Sequence, residues 1–242
     1  PFVFEVRDLW PEFAVDMGIL KNPFLIKTAE FVEKICYRQA VKILTISDGL
    51  RSRLIQRGIP PEKVRKIPIG VDLDFTNTIE ADWEFRKANG LDGKFIAVYA
   101  GAHGVANGLE MLVKTAEHLK NDKDIVIVSI GEGKEKDNLI AMTKAKGLEN
   151  LKFFEAMPRK ELLAIMKTFD AGLMITKNLI TSMDECPNLP RKFFDYLACS
   201  LPVLVNSNGE MQRIVEQNNA GVASSETDVS ELAENLVKLN AT

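Results

Sequence analysis

From Phe95 onward, short apolar runs alternate with segments in which apolar residues recur every three or four positions. The runs predict strands, at 95–100, 125–130, 151–154, 171–176, 202–206 and 221–223. The segments between them predict amphipathic helices. One apolar stripe consists of Leu109, Leu112, Val113 and Ala116, and another of Val229, Leu232, Ala233 and Leu236. This alternation is typical of a parallel sheet covered by helices, so residues 94–242 are predicted to form a complete Rossmann-like domain of α/β class.

The first part of the chain has the same rhythm but fewer strands. Strands are predicted at 2–6, 43–46 and 64–67, separated by helices at 22–40 and 48–57. Three strands make a small sheet, so residues 1–72 are predicted to be only part of a Rossmann-like domain. The stretch that follows, 73–93, is polar with weak apolar periodicity, and it is predicted to be the interdomain linker.

Composition narrows the kind of protein. Hydrophobic residues make up 46% of the 242 residues and charged residues 27%, which is typical of a globular protein. The formal net charge of −3 argues against a nucleic-acid partner and favours a small molecule. Cys36, Cys186 and Cys199 show no paired spacing, as expected for reduced thiols in the cytoplasm, and no metal site is expected.

The sequence contains no apolar stretch of membrane-spanning length and no secretory leader. It opens at Pro1 without an initiating Met and enters a predicted strand directly. We therefore expect the chain to start inside a longer protein.

Two loops between a predicted strand and a helix carry glycines. The first contains Gly101, His103, Gly104 and Asn107, and glycines before a helix start allow close approach of a phosphate. The alternative is a tight turn with Asn107 as the helix N-cap, and His103 either contacts phosphate or points into solvent. The second loop contains Gly131, Gly133 and Lys134, and an ordinary solvated turn is the alternative there. Neither loop has the spacing of a nicotinamide or P-loop motif.

The most informative segment begins at Pro190. Pro190 suits the first turn of a helix, but Arg191 and Lys192 place cations in that turn, where the helix dipole disfavours them. An anionic ligand would offset this unfavourable placement of positive charge. Asp195 lies one turn further on, where it would accept hydrogen bonds from ribose hydroxyls; the alternative is a simple ion pair along the helix.

At these residues the chain resembles the group-1, retaining glycosyltransferases of the GT-B fold. The resemblance extends over essentially the whole chain, and the bacterial surface-polysaccharide branch that includes N-acetyl-fucosamine transferases is the most similar. The stretch 190–198, Pro-Arg-Lys-Phe-Phe-Asp-Tyr-Leu-Ala, is similar to a family segment, as are Arg-Asp-Leu-Trp-Pro-Glu at 7–12 and Ile-Pro-Ile-Gly-Val-Asp at 67–72.

The resemblance implies a binding site for a nucleotide-sugar such as a UDP-sugar, which is a substrate and not a cofactor. Gly101, Gly104 and Asn107 would hold the diphosphate and Lys192 would neutralise it. Asp195 would match the second acid of the family's Glu-x7-Glu motif, the one that binds ribose. Including both glycine loops, the predicted donor-binding residues are Gly101, His103, Gly104, Asn107, Gly131, Gly133, Ala156, Met157, Lys192 and Asp195.

Ala156 and Met157 would offer backbone groups to the base. The sequence departs from the family at two positions. Pro187 stands where the first Glu of the motif is expected, and Asn107 stands where many members have Lys. These differences bear on the identity of the donor sugar more than on the chemistry.

The resemblance further implies transfer of a hexose to a glycan or lipid-linked acceptor, without a metal, in bacterial surface polysaccharide synthesis. Asp8 would orient the acceptor hydroxyl, the alternative being a structural contact with Arg7, and Glu185 would reach the donor sugar. The amino-terminal strands of the family domain are missing from the chain, so we expect it to bind nucleoside diphosphate but to transfer little sugar by itself.

Two other functions compete with this interpretation. A nucleotide-sugar epimerase has a similar architecture, but the chain's two histidines are few for such a site. A non-catalytic nucleotide-binding module would also fit the altered Glu-x7-Glu motif. A basic run either faces the solvent or makes peripheral contact with anionic lipid at the cytoplasmic face of the inner membrane. Its members are Arg51, Arg53, Arg57, Lys63, Arg65 and Lys66.

Overall fold

A computed structural model describes residues 1–177, 189–225 and 227–241. Its strands are β1 (Val3–Val6), β2 (Lys42–Thr45), β3 (Val64–Lys66), β4 (Phe95–Ala100), β5 (Ile125–Ile130), β6 (Leu151–Phe154), β7 (Ala171–Met174), β8 (Val203–Val205) and β9 (Gly221–Ala223). Its helices are α1 (Glu12–Asp16), α2 (Pro23–Gln39), α3 (Asp48–Gln56), α4 (Leu73–Asn77), α5 (Trp83–Ala88), α6 (Glu110–His118), α7 (Lys136–Ala145), α8 (Arg159–Met166), α9 (Arg191–Ala198), α10 (Glu210–Gln217) and α11 (Val229–Asn240).

Residues 1–69 form the main part of one compact unit. Its three strands are parallel and lie in the order β1-β2-β3. Two of its helices have clear start signals: Asn22 caps α2 ahead of Pro23, and Ser47 caps α3. Ile43 of β2 and Leu50 of α3 are fully buried in the core between strands and helices.

Most of the remaining chain, 70–177, 191–208 and 212–241, forms a second unit. It contains a six-stranded parallel sheet in the order β6-β5-β4-β7-β8-β9. The chain builds β4, β5 and β6 toward one edge and then returns to place β7, β8 and β9 on the other side of β4. The strand order therefore reverses between β4 and β7, where open α/β sheets bind their ligands.

The α/β fold class predicted from the sequence is confirmed. All nine predicted strands are present, and β4, β5, β6 and β9 have the predicted bounds. The signal was strong because a parallel strand covered by helices on both faces is apolar throughout, and every residue of β5 is buried.

The stretch 73–93, predicted as a linker, contains two short helices in the second unit. Asp72 caps α4 and Asp82 caps α5 through hydrogen bonds to amide groups in the first turn. Leu91 is fully buried, and Arg86 is buried with its guanidinium bonded to backbone carbonyls. Helices of five and six residues are too short to give a clear apolar periodicity, so sequence reasoning missed them.

Candidate functional site

The candidate site lies at the carboxyl ends of β4 and β7, where the strand order reverses. The loop after β4 and the first turn of α9 meet there. A Cβ atom added to Gly101 would lie 2.8 Å from Nζ of Lys192. The two features that the sequence identified separately, the first glycine loop and the cationic helix start, are therefore neighbours in space.

Lys192 carries the charge of this site. Its Nζ donates a hydrogen bond to the Tyr99 hydroxyl at 2.8 Å and lies 4.2 Å from the centroid of that ring. Within the described ranges, no carboxylate forms an ion pair with it. Burial lowers the pKa of Lys192 to about 8. An ammonium group that is partly buried and has no carboxylate counterion among the described residues favours an anionic ligand.

Two tyrosines fix the end of β4 against α9. The buried Tyr196 hydroxyl accepts a hydrogen bond from Ala100 N at 2.7 Å, and the Tyr99 hydroxyl donates one to Ala102 O at 2.9 Å. Burial raises the pKa of both phenols, so they remain neutral. Gly172 on β7 makes room for this packing, because a Cβ there would lie 2.6 Å from the Tyr196 ring. Sequence reasoning missed both tyrosines, although each lies within a segment it had identified.

The two glycine loops interlock. Gly131 and Gly133 have φ values of +146° and +152°, which favour glycine. A Cβ on Gly131 would lie 2.0 Å from Gly101 O, and one on Gly133 would lie 2.4 Å from His103 O. Because these glycines have no side chain, the backbone of the first loop packs directly against them. Their contact with a donor stays a prediction.

His103 lies inside this junction. Its side chain is fully buried, and Nε2 is 2.7 Å from Ser129 Oγ on β5. Nδ1 is buried without a hydrogen-bond partner in the described part of the chain. Burial lowers the pKa of the imidazole, and the nearby Lys136 and Lys192 add to that effect, so the ring is neutral near pH 7. The alternative in which His103 points into solvent is wrong, because the glycine loops close over the ring.

Asn107 does not cap the following helix. It lies in a short 3-10 turn, and its Nδ2 donates a hydrogen bond to Ala102 O at 2.8 Å. The residue at the N-cap of α6 is Leu109, whose side chain makes no capping hydrogen bond. The N-cap interpretation is therefore wrong, since the intervening 3-10 turn moves the helix start to Glu110.

Lys136 organises the segment predicted to meet the base. This buried side chain donates to Glu132 Oε1 at 2.8 Å and to Phe154 O at 3.2 Å, and it pairs with Glu155 at 3.0 Å. Ala156 N in turn donates to Glu132 Oε1 at 3.4 Å. Lys136 thus connects the end of β5 with the end of β6. Its position four residues after Glu132 was a usable sequence signal.

Asp195 has a stronger partner than the sequence indicated. Arg159, the first residue of α8, donates from Nη2 to Asp195 Oδ1 at 2.7 Å. Arg191, its neighbour along the helix, lies 3.9 Å from Oδ2. A contact between residues 36 positions apart cannot be read from helical spacing. The predicted ribose role of Asp195 stays a prediction.

Of the two predicted catalytic acids, the structure describes only Asp8. Asp8 follows β1 in the first unit and lines a pocket of about 530 Å³. Partial shielding from water raises the pKa of its carboxyl group, and Arg7 opposes that shift. Arg7 itself donates a hydrogen bond to Glu5 Oε1 at 2.9 Å. Glu185 lies outside the described residues.

Part of the basic run is occupied by ion pairs within the first unit. Arg53 and Arg57 both bind Glu12, and Arg57 also binds Glu33 at 3.0 Å.

No group of three metal-ligating side chains occurs among the described residues. Within the same residues, every helix is too short or too polar to cross a membrane.

Comparison with known proteins identifies similar sequences. The family model "Glycosyl transferases group 1" matches residues 81–240. The putative colanic acid biosynthesis glycosyl transferase WcaI of Escherichia coli (strain K12) is 30% identical over 182 residues, which cover 72% of this chain and 44% of WcaI. The alpha-D-kanosaminyltransferase of Streptomyces kanamyceticus is 20% identical over 87% of this chain and 54% of that protein. The chain spans about half the length of the curated relatives it matches.

Solved structures share the fold at lower sequence identity. Anabaena Alr3699/HepE in complex with UDP has a TM-score of 0.77 and 18% identity, with 100% of this chain and 63% of that chain covered. WaaG, a glycosyltransferase involved in lipopolysaccharide biosynthesis, has a TM-score of 0.73 and 17% identity, with 99% and 66% covered. These likenesses establish a GT-B fold.

The family match runs from the start of α5 to the end of α11 and so includes every strand and loop of the candidate site in the second unit. It covers well over half of the chain. On this evidence the chain belongs to the group 1 glycosyl transferases.

Proposed function

We propose that the protein transfers a hexose, with retention of anomeric configuration, from a UDP-sugar to a glycan or lipid-linked acceptor in bacterial surface polysaccharide synthesis. The observation that carries the proposal is the Lys192 ammonium beside Gly101, without a carboxylate counterion among the described residues. The solved complexes of Alr3699/HepE with UDP and with UDP-glucose support the donor class. The assignment of WcaI to colanic acid biosynthesis and of WaaG to lipopolysaccharide biosynthesis supports the process.

Lys192 would act on the leaving group. In the reaction, the bond between the anomeric carbon and the diphosphate oxygen breaks, a new bond forms to the acceptor oxygen, and the proton of the acceptor hydroxyl passes to the departing diphosphate. Negative charge collects on the departing UDP, so a fixed ammonium and nearby amide groups stabilise the transition state more than the ground state. A pKa of about 8 leaves Lys192 largely protonated at neutral pH.

Other predicted residues would position the remaining groups. Gly101, His103, Gly104 and Asn107 would surround the diphosphate, and Asp195 would accept from ribose. Ala156 and Met157 would face the base. Asp8 would orient the acceptor hydroxyl, and Glu185 would contact the donor sugar. We place this activity in the cytoplasm, with peripheral contact at the inner membrane where the acceptor is lipid-linked.

Full-length protein incubated with a panel of UDP-sugars and extracts of surface-polysaccharide intermediates provides the test. We expect acceptor-dependent release of UDP and an α-linked product from an α-linked donor. Lys192→Met should lower the rate by about a hundredfold or more, since it removes an electrostatic contact to the leaving group. Lys120→Met, at an exposed lysine after α6, is the matched control and should leave the rate unchanged.

Two results would count against the proposal. Binding of UDP without turnover of any donor would favour the non-catalytic nucleotide-binding module. Absence of UDP binding would reject the donor site itself. The epimerase alternative finds no support in a family match to glycosyl transferases.

A further inference from the structure

Arg159 occupies a position that none of the predicted site roles uses. It is the first residue of α8 and follows directly on the segment proposed to meet the base. Its Nη2 donates to Asp195 Oδ1 at 2.7 Å, and its guanidinium carbon lies 5.6 Å from the centre of the Phe75 ring. The ring and the carboxylate together hold the guanidinium in one place.

This contact leaves the two oxygens of Asp195 unequal. Oδ1 accepts a short, charge-assisted hydrogen bond from Arg159, whereas Oδ2 has Arg191 Nε at 3.9 Å, beyond hydrogen-bonding distance. Asp195 is mostly buried, with 16% of its side chain exposed. Arg159 therefore holds Oδ1 in place, and Oδ2 keeps lone pairs available to another donor.

We propose that Arg159 is a positioning residue that fixes the Asp195 carboxylate so that Oδ2 accepts a hydrogen bond from a ribose hydroxyl of the donor nucleotide. The inference rests on the proposed function. Without Arg159, the carboxylate is free to turn toward Arg191, its neighbour at four-residue spacing on α9. Arg159 begins α8, directly after the segment 156–157 proposed to face the base. Recognition of ribose would therefore depend on a residue next to the proposed base-binding segment.

The readout is discrimination between ribose and deoxyribose. Titration calorimetry on the full-length protein compares UDP with its 2′-deoxy and 3′-deoxy counterparts, and inorganic pyrophosphate reports the diphosphate site alone. A hydrogen bond to a charged group should favour UDP over at least one deoxy analogue by about ten- to a hundredfold. In Arg159→Gln this ratio should fall below about threefold, while the affinity for pyrophosphate stays within about twofold of wild type.

Two variants accompany this measurement. Lys160→Met removes an exposed cation from the same helix turn and should keep the wild-type ratio. Arg159→Lys keeps a positive charge but loses the planar fork, so its ratio should lie between those of wild type and Arg159→Gln. If Arg159→Gln does not fold, Arg159→Lys replaces it in the test. Its preference for UDP over the deoxy analogue should then be at least about threefold lower than that of wild type.

Several outcomes would overturn the inference. One is an Arg159→Gln ratio equal to that of wild type, and another is an equal loss of affinity for UDP and pyrophosphate, which indicates general damage to the site. A third is wild-type protein that binds UDP and both deoxy analogues equally, in which case the donor site stands and only the ribose role fails. Failure of wild-type protein to bind either UDP or pyrophosphate rejects the proposed function together with the inference.

Discussion

At the scale of single residues, the charge of Lys192 is expected to reduce the stability of the ligand-free protein. Its ammonium group is partly removed from water, and the hydrogen bond to the Tyr99 hydroxyl replaces only part of the lost hydration. The resulting fall in pKa means that the folded protein holds the proton less tightly than the unfolded chain does. A bound diphosphate would supply the missing negative charge.

Replacing Lys192 by Met should therefore stabilise the ligand-free protein while weakening ligand binding. We expect the free energy of unfolding at pH 7 to rise by about 1–2 kcal/mol, because the cost of burying the charge disappears. Affinity for UDP should fall by about a hundredfold. Urea unfolding and calorimetry measure the two effects, with Lys120→Met as the control. A destabilised variant would show that Lys192 serves mainly to hold the fold.

The same pKa sets a dependence on pH. In the ligand-free protein, the folded-state pKa of Lys192 is about 8, below the ordinary lysine value. Stability should therefore rise with pH above about 8, since the unfolded state then binds more protons. Binding of UDP should follow the opposite trend and weaken by up to about tenfold between pH 8 and pH 9 as the ammonium is lost. Calorimetric titrations from pH 7 to 9 test this, and in Lys192→Met the dependence should disappear.

At the scale of elements, the site depends on loops that fit together through missing side chains. The Gly131 turn accepts the Gly101 carbonyl where any Cβ would be, and the Gly133 turn does the same for the His103 carbonyl. The buried imidazole of His103 and the Ser129 hydroxyl complete the junction between β4 and β5. The glycines in these loops are therefore needed for packing between the loops, whether or not they also contact a ligand.

Gly131→Ala should separate the loops. Its Cβ would lie 2.0 Å from a backbone oxygen at a φ of +146°, so the backbone must move. We expect a loss of at least about 2 kcal/mol in the free energy of unfolding, measured in urea, together with loss of UDP binding. Gly70→Ala is the matched control, because Gly70 is outside the predicted donor site, its φ is not in the left-handed region, and a Cβ there would meet no heavy atom within 4 Å. Equal effects of the two substitutions would contradict this account.

The sequence predicted the strands and longer helices better than it predicted contacts between residues far apart in the chain. Strands such as β5 were identifiable because burial on both faces makes a parallel strand apolar throughout. The pairing of Arg159 with Asp195, and the burial of His103, depend on how separate loops meet, and no local pattern encodes that. The meeting of Gly101 and Lys192 was predictable, because both follow strands whose carboxyl ends share one edge of the sheet.

At the scale of the whole molecule, the proposed roles divide between the two units. The residues proposed to bind the nucleotide belong to the second unit, from the loop after β4 to α9, and Asp8 belongs to the first. The resemblance to group-1 glycosyltransferases implied both roles at once, but donor binding and sugar transfer can be tested by separate experiments. On the proposed assignment, donor binding would need the loops of the second unit, whereas transfer would also need a bound acceptor.

This division predicts how the 242-residue chain responds to nucleotide. UDP at about a hundred times its dissociation constant should stabilise the fold by about 2.7 kcal/mol, which corresponds to a rise in Tm of about 5–10 °C. Lys192→Met should reduce this stabilisation to about 0.4 kcal/mol, because a hundredfold weaker affinity leaves UDP at about its dissociation constant. Asp8→Asn should leave the rise unchanged, yet in the full-length protein it should lower the transfer rate by about a hundredfold. If Asp8→Asn reduced the UDP-dependent rise as much as Lys192→Met does, the assignment of donor binding to the second unit would be wrong.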